Sequence, residues 1–283
     1  MKNERTGFFE GYKILKAISI HFLIGIGLLA TMIPFIWMFS TSIKSPGEIF
    51  VYPPVWFPKV PTFAYYKELF ERVRFFIHFK NSIIVAVSVT FLNLFFSSLA
   101  GYAFAKFKFP GREKIFGLLL ATMMIPAQVT MIPVFMILKS MGLLNTYLGL
   151  IIPGASSVFG IFLMRQFMLT IPSDLIDSAR VDGCSEFRIY WNIVLPLSKP
   201  VLATLAIFTF MASWNEFLWP LIIMTKETMY TLPVALANLN GQHNTEWGLL
   251  MAGSVVVILP ILILFIFLQK YFIKGIALSG IKG

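Results

Sequence analysis

The stretch Ile171-Pro172-Ser173-Asp174-Leu175-Ile176-Asp177-Ser178-Ala179-Arg180-Val181-Asp182-Gly183-Cys184-Ser185-Glu186-Phe187 is a charged island in a hydrocarbon-like chain, and it continues to Leu195-Pro196-Leu197-Ser198-Lys199-Pro200. Its layout is a short helix, a glycine break, a second short helix and a proline stop. Ser173 is expected to cap the first helix, with Asp174 and Asp177 in the first turn, where negative charge suits the macrodipole. Leu175, Ile176 and Ala179 form one apolar side. Gly183 lets the chain turn without a Cβ clash. Phe187, Tyr190, Trp191 and Val194 then recur at i, i+3, i+4 and i+7, an apolar stripe, and Pro196 and Pro200 are expected to end that helix. The residues alone leave two readings: a rigid two-part knob for a partner at the membrane surface, or an ordinary amphipathic loop.

Around the island the chain is apolar. Its 283 residues are 58% hydrophobic and 13% charged, against about 25% charged in a soluble domain. Six runs carry almost no charge: 17–43, 81–105, 115–138, 140–164, 200–225 (interrupted only by Glu216) and 247–269. Each meets the requirement of roughly 20 apolar residues for a crossing, and backbone groups in lipid must bond within their own segment. The expected fold is an all-α integral membrane protein with six transmembrane helices. The first run outlasts the ~7–15 residue apolar core of a signal peptide and is read as a retained helix. The expected segments are 1–16, a transmembrane domain over 17–272 with a loop at 171–199, and a tail over 273–283.

Lys and Arg set the orientation. With both termini inside, fifteen of the 23 lie on the cytoplasmic side, among them Lys106, Lys108, Arg112, Lys114, Arg165 and Arg180. The island is then cytoplasmic too, between the fourth and fifth crossings. The net charge of +10 follows from this bias and from attraction to anionic membrane lipid, so no nucleic acid is expected as a partner. Cys184 is the only cysteine, which rules out an intrachain disulfide; it is read as a small space-filling side chain on the reducing side.

The segment 44–80 is expected outside, extended through its prolines, with a short surface helix between Thr62 and Arg74. A second external loop, 226–246, carries Asn238, Asn240, Gln242, His243 and Asn244. No catalytic machinery is found. There is no P-loop, so no ATP site of that kind, and no H-E-x-x-H. His21, His78 and His243 are scattered and form no recognisable metal cluster. Ser156, Ser157, Gly154 and Gly160 are read as close helix packing. A carboxylate such as Glu216 costs on the order of 2.5–3.5 kcal/mol at a helix centre and must face protein or water. With Trp214, Asn215 and Trp219 it suits either a polar bridge between subunits, the preferred reading, or a sugar pathway. Asn93, Gln128 and Thr130 are further pathway candidates.

Asp177-Ser178-Ala179, then Gly183, running on to Ile193-Val194-Leu195-Pro196, resembles the E-A-A…G…I-x-L-P loop of permease subunits in ABC importers. Further blocks resemble the MalG-like sugar-importer permeases: Asn81-Ser82, Ala100 to Gly111, Ile125-Pro126 to Ile132-Pro133, Gly142 to Thr146, Ser213 to Pro220, Thr231-Leu232-Pro233 and the ending Lys274 to Gly283. Asp177 stands where the family's Glu is usual and Ser178 where its first Ala is.

The resemblance implies a non-catalytic subunit of a prokaryotic cytoplasmic-membrane importer for sugars. It implies a second, MalF-like permease, two copies of an ABC ATPase that carries the ATP and Mg, and an extracytoplasmic sugar-binding protein. The island becomes a coupling helix, with Asp177, Ser178, Ala179, Asp182, Gly183, Leu195 and Pro196 at family positions. The tail residues Gly280, Lys282 and Gly283 become candidates for the ATPase contact. A permease for another binding-protein-delivered solute, a secondary transporter and an intramembrane enzyme are the alternatives; the last two leave the island unexplained.

Overall fold

The computed structural model describes residues 2–71, 73–239 and 246–280, with side chains between 16 and 269. Among the described residues the regular structure is helical, without strands. In chain order the α-helices are α1 (Lys2–Ser42), α2 (Pro46–Ile49), α3 (Ala64–Glu71), α4 (Phe75–Lys106), α5 (Arg112–Thr122), α6 (Ala127–Ser140), α7 (Tyr147–Ile151), α8 (Val158–Leu169), α9 (Ser173–Val181), α10 (Glu186–Ile189), α11 (Leu195–Leu197), α12 (Lys199–Trp214), α13 (Leu218–Ile223), α14 (Leu232–Asn238) and α15 (Trp247–Gly280). Lys16–Ser42, Phe75–Lys106 and Trp247–Gln269 are unbroken and apolar enough to cross a membrane; three bent helix pairs raise the number to as many as six.

Two of those bends correct the expectation of continuous helices over 115–138 and 140–164, and the end of α12 corrects it over 200–225. α5 and α6 meet at 97°. Pro126 lacks an N–H and disfavours helical geometry at Ile125, so Met123, Met124 and Ile125 close short turns onto Leu120, Ala121 and Thr122 instead. The run through α7 and the 3₁₀ turn Ile152–Gly154 bends by 42° against α8. There Ser157, extended at φ −135°, caps α8 by accepting from Gly160 N at 3.0 Å. The segment Glu186–Leu197 turns by 79° into α12, and α12 stops at Trp214 rather than reaching Thr225.

The chain divides into two compact units. The first comprises residues 1–72 and 239–256. Here α2 interrupts the segment expected to be extended, and α3 is the expected surface helix with Leu69 buried. Thr62 N donates to Ile43 O at 2.9 Å, and Ser42 Oγ lies 2.8 Å from Tyr66 Oη. Lys44 is fully buried with its Nζ 3.9 Å from the Trp37 ring centre. Burial holds its pKa below the ordinary lysine value, against the opposing pull of Glu48. A Cβ at Gly248 would collide with the Tyr65 ring.

The second unit comprises 73–238 and 257–283. α4 is its central helix and packs on α8 and α12. Small residues set the approach. A Cβ on Gly101 would lie 2.6 Å from Met164 Cβ, and one on Gly154 would lie 2.9 Å from Val89 Cγ1. One apolar cluster joins Tyr102, Met164, Met168, Ile176, Tyr190, Val194 and Leu205, so α4, α8, α9 and α12 share a core. A second joins Val85, Val89, Leu150, Ile151, Ile223 and Met224.

Candidate functional site

α4, α6, the 150–159 segment, α12 and α13 line a half-open cavity of about 600 Å³. α6 contributes Ala127, Thr130, Met131 and Val134, and α12 contributes Phe208, Thr209, Ala212 and Ser213, each set repeating at the helical period. Asn93 on α4 lines it but is 2% exposed. Its Oδ1 accepts from Ser97 Oγ at 3.2 Å and Ser157 Oγ at 3.3 Å, and its Nδ2 donates to Gly154 O at 3.2 Å. It therefore fastens the wall. Trp219 Nε1 donates to Gly149 O at 3.1 Å, and Trp219 N donates to Glu216 Oε1 at 3.1 Å. Both residues line the cavity.

Three expected pathway residues lie elsewhere. Gln128 is exposed and off the lining, because the helical period that turns 127, 130, 131 and 134 inward turns 128 away. Trp214 is 1% exposed; its Nε1 donates to Val257 O at 2.9 Å and its ring stacks on Phe210. Asn215 caps α12 and its Nδ2 donates to Met211 O at 2.9 Å. Ser213 and Glu216 face the cavity, so the intervening pair points away from it.

Distant sequence blocks meet at one end of α4. Asn81 Nδ2 donates to Thr228 O and Tyr230 O at 2.9 and 3.0 Å, and its Oδ1 accepts from Tyr147 Oη at 2.6 Å. Ser82 Oγ accepts from Leu232 N at 2.7 Å. Asn145, left-handed at φ 57°, accepts from Thr225 N at 2.7 Å and Lys226 N at 3.0 Å.

At the other end of α4 lies the charged island. Pro172, not Ser173, is the N-cap of α9, and Ser173 is already helical. Asp174 is in the first turn; Asp177 is one turn later and pairs with Arg180 at 2.9 Å. Ile176 and Ala179 are buried, whereas Leu175 is 45% exposed, which corrects its place on the apolar side. Ser178 and Asp182 are exposed. Gly183 has φ +79°, and Cys184 N reaches back to Ala179 O at 3.0 Å, closing the helix end. Tyr190 and Val194 are buried, while Phe187 and Trp191 are exposed and stacked on each other. Pro196 does not stop the helix: a π turn over Tyr190–Val194 carries it into Leu195–Leu197 before the bend.

Sequence reasoning missed what holds the island. Arg180 Nε donates to Glu186 Oε1 at 2.6 Å, and Tyr102 Oη donates to Glu186 Oε2 at 2.9 Å. Tyr190 Oη lies 2.7 Å from Ser98 Oγ, and Lys106 Nζ donates to Ile171 O at 2.5 Å. The Arg180 hydrogen bond holds the Glu186 carboxyl below its usual range, with burial opposing and the Tyr102 hydroxyl assisting. The same bond raises the Arg180 pKa. Nearby, Arg165 is 8% exposed; its Nη2 donates to both Glu113 oxygens at 2.9 Å and its guanidinium lies 4.0 Å from the Phe116 ring centre. Gly280 ends α15, and Lys282 and Gly283 lie outside the described residues, as do Asn240, Gln242, His243 and Asn244.

Residues 93–278 match the family model of the binding-protein-dependent transport system inner membrane component. The chain is 43% identical, over 80% of its length and 81% of the relative's, to the arabinooligosaccharides transport system permease protein AraQ of Bacillus subtilis (strain 168). It is 30% identical, over 92% of its length and 95% of the relative's, to the sn-glycerol-3-phosphate transport system permease protein UgpE of Yersinia pestis bv. Antiqua (strain Antiqua). Among solved structures, a chain of a bacterial ABC transporter involved in the import of the acidic polysaccharide alginate superposes with a TM-score of 0.82 at 28% identity, covering 91% of this chain and 96% of that one. A family match over most of the chain, agreement with permeases along nearly their full length and the shared helical architecture place this protein in the inner membrane, and the chain belongs to the family of binding-protein-dependent transport system inner membrane components.

Proposed function

We propose that the chain is a permease subunit of an ATP-driven importer that carries a sugar or oligosaccharide across the cytoplasmic membrane. It crosses six times, over about 17–43, 81–105, 115–138, 140–164, 200–225 and 247–269, with both termini and the 171–199 loop inside. A second, MalF-like permease completes the pathway, an extracytoplasmic binding protein delivers the solute, and two ABC ATPase copies supply the energy. The observation that carries this reading is the span of α4. Asn93 stands in the cavity wall, while Ser98, Tyr102 and Lys106 on the same helix grip the island.

In this reading α9 and Gly183 form the seat for one ATPase. Ala179 faces inward, while Asp177, Ser178, Asp182 and Val181, which is 88% exposed, are left for the partner. Leu195 and Pro196 carry the loop into the bend before α12. Gly280, Lys282 and Gly283 are the tail candidates for contact with the ATPase pair. ATPase closure pulls the island, and α4 with α8 follows as one packed body, the rocking expected of alternating access. This chain binds no nucleotide; Mg and ATP act on the partner.

Cys184 is half-buried beside Gly183 and tests the seat. Its labelling by a thiol reagent is expected to fall when the ATPase is added to the permease pair; equal labelling contradicts docking. Solute uptake by this chain reconstituted without any ATPase would favour a secondary transporter.

A further inference from the structure

Among relatives of this chain some are named for neutral and some for anionic cargo. The cavity bears on which kind this chain handles. Glu216 is the one ionisable residue in its described lining, and no Lys, Arg or His is present there. The other polar side chains are hydroxyls, including Thr130, Ser156, Ser157, Thr209 and Ser213, and the amide of Asn93, with Trp219 and Phe159 as aromatic faces. Glu216 Oε1 is held by Trp219 N, which fixes the carboxylate at the wall. Hydroxyls and rings suit a saccharide, and a lone carboxylate among apolar walls makes the local potential negative.

We propose that Glu216 is a charge filter, so that the solute of this importer is an uncharged saccharide and uronates or sugar phosphates are excluded. The inference rests on the pathway reading above and adds the charge of the cargo to it. A monovalent charge about 6 Å from a carboxylate is favoured or disfavoured by roughly threefold even in water, and more beside low-dielectric walls. A cation and an anion of similar size therefore differ by about tenfold in occupancy of the cavity.

The test needs neither the solute nor the binding protein. Ser213→Cys, and separately Thr130→Cys, is made in a Cys184→Ser background and assembled with the partner permease and ATPases. The thiol is reacted with three methanethiosulfonates: a neutral methyl, a cationic trimethylammonium and an anionic sulfonate reagent. The cation-to-anion rate ratio, normalised to a small free thiol, cancels any change in the cysteine's own ionisation. It is expected to be about tenfold and to fall by about tenfold, to near one, on Glu216→Gln. A normalised ratio at or below one shows that the assembled pathway favours anions and overturns the filter. So does a ratio that Glu216→Gln leaves unchanged. If the neutral reagent fails at both positions with nucleotide present and absent, the cavity is closed to water, and the pathway reading itself falls.

Discussion

Tyr102 Oη donates to Glu186 Oε2 at 2.9 Å, tying the end of α4 to a helix 84 positions further on. The same carboxylate receives Arg180, so Glu186 joins α4, α9 and α10. A hydrogen bond to a charged group contributes about 1.5–3 kcal/mol. The Glu186 side chain is 40% exposed, which brings the expected cost of Glu186→Gln down to about 1–2 kcal/mol. The loss is expected as faster amide exchange across 173–189 in the purified complex, with ATPase stimulation by the binding protein reduced more than basal hydrolysis. Tyr102→Phe keeps the ring packing against Phe107 and Tyr190 and is expected to show the smaller effect. Unchanged exchange in both variants would remove the joint from the account.

The same joint has a pH signature. Glu186 takes its proton at lower pH in the folded chain than in the unfolded one. Its contribution is therefore full above the ordinary glutamate value of about 4.3 and is lost as pH falls through the lower folded value. Arg180 stays charged throughout. Amide protection of the loop is expected to be level from about pH 8 to 5 and to drop only in stronger acid. Glu186→Gln flattens that acid-side drop.

Gly183 separates a backbone effect from a partner effect. At φ +79° any side chain is strained, yet nothing lies within 4 Å of its Cβ position. Gly183→Ala is expected to cost about 1–2 kcal/mol of strain and to keep most uptake. Gly183→Trp fills the open space in front of the turn, so membrane insertion is retained and uptake is abolished. Equal uptake by the two variants would mean that nothing docks there.

Arg165 is nearly buried while Glu113 is 61% exposed. Removing the carboxylate strands a guanidinium that retains Phe104 O and the Phe116 ring. Glu113→Ala is expected to cost about 1–3 kcal/mol in thermal unfolding of the detergent-solubilised complex. Arg165→Ala should cost more, and the double variant less than the sum. Strict additivity would show that the pair is not coupled.

Hydropathy made the helices legible, and φ +79° is the conformation that a glycine in the middle of the island suggests. Side-chain composition says nothing of backbone direction, so the bends at Pro126 and Ser157 lie hidden inside uniformly apolar runs, whereas the bend at Ser198 falls between the two prolines, Pro196 and Pro200, expected to end the helix there. Pro126 was the available signal, since it removes a donor and biases Ile125. Trp214 and Asn215 stand beside Glu216 in sequence yet lie off the cavity that Glu216 lines. One turn of α12 carries Ser213 to the cavity and Trp214 to the core, a distinction that period, rather than composition, would have drawn. The Tyr102–Glu186 and Asn81–Tyr147 bonds join positions too far apart for any local pattern to announce.

Gly101 meets Met164 with no side chain of its own in between. A seam of that kind has no rotamers to exchange on one side, so it cannot slip by repacking and acts as a weld between two rods. Any give in this chain has to be found at its elbows, where apolar helices already change course, and a solute waiting at one end of the weld would feel what is done to the other.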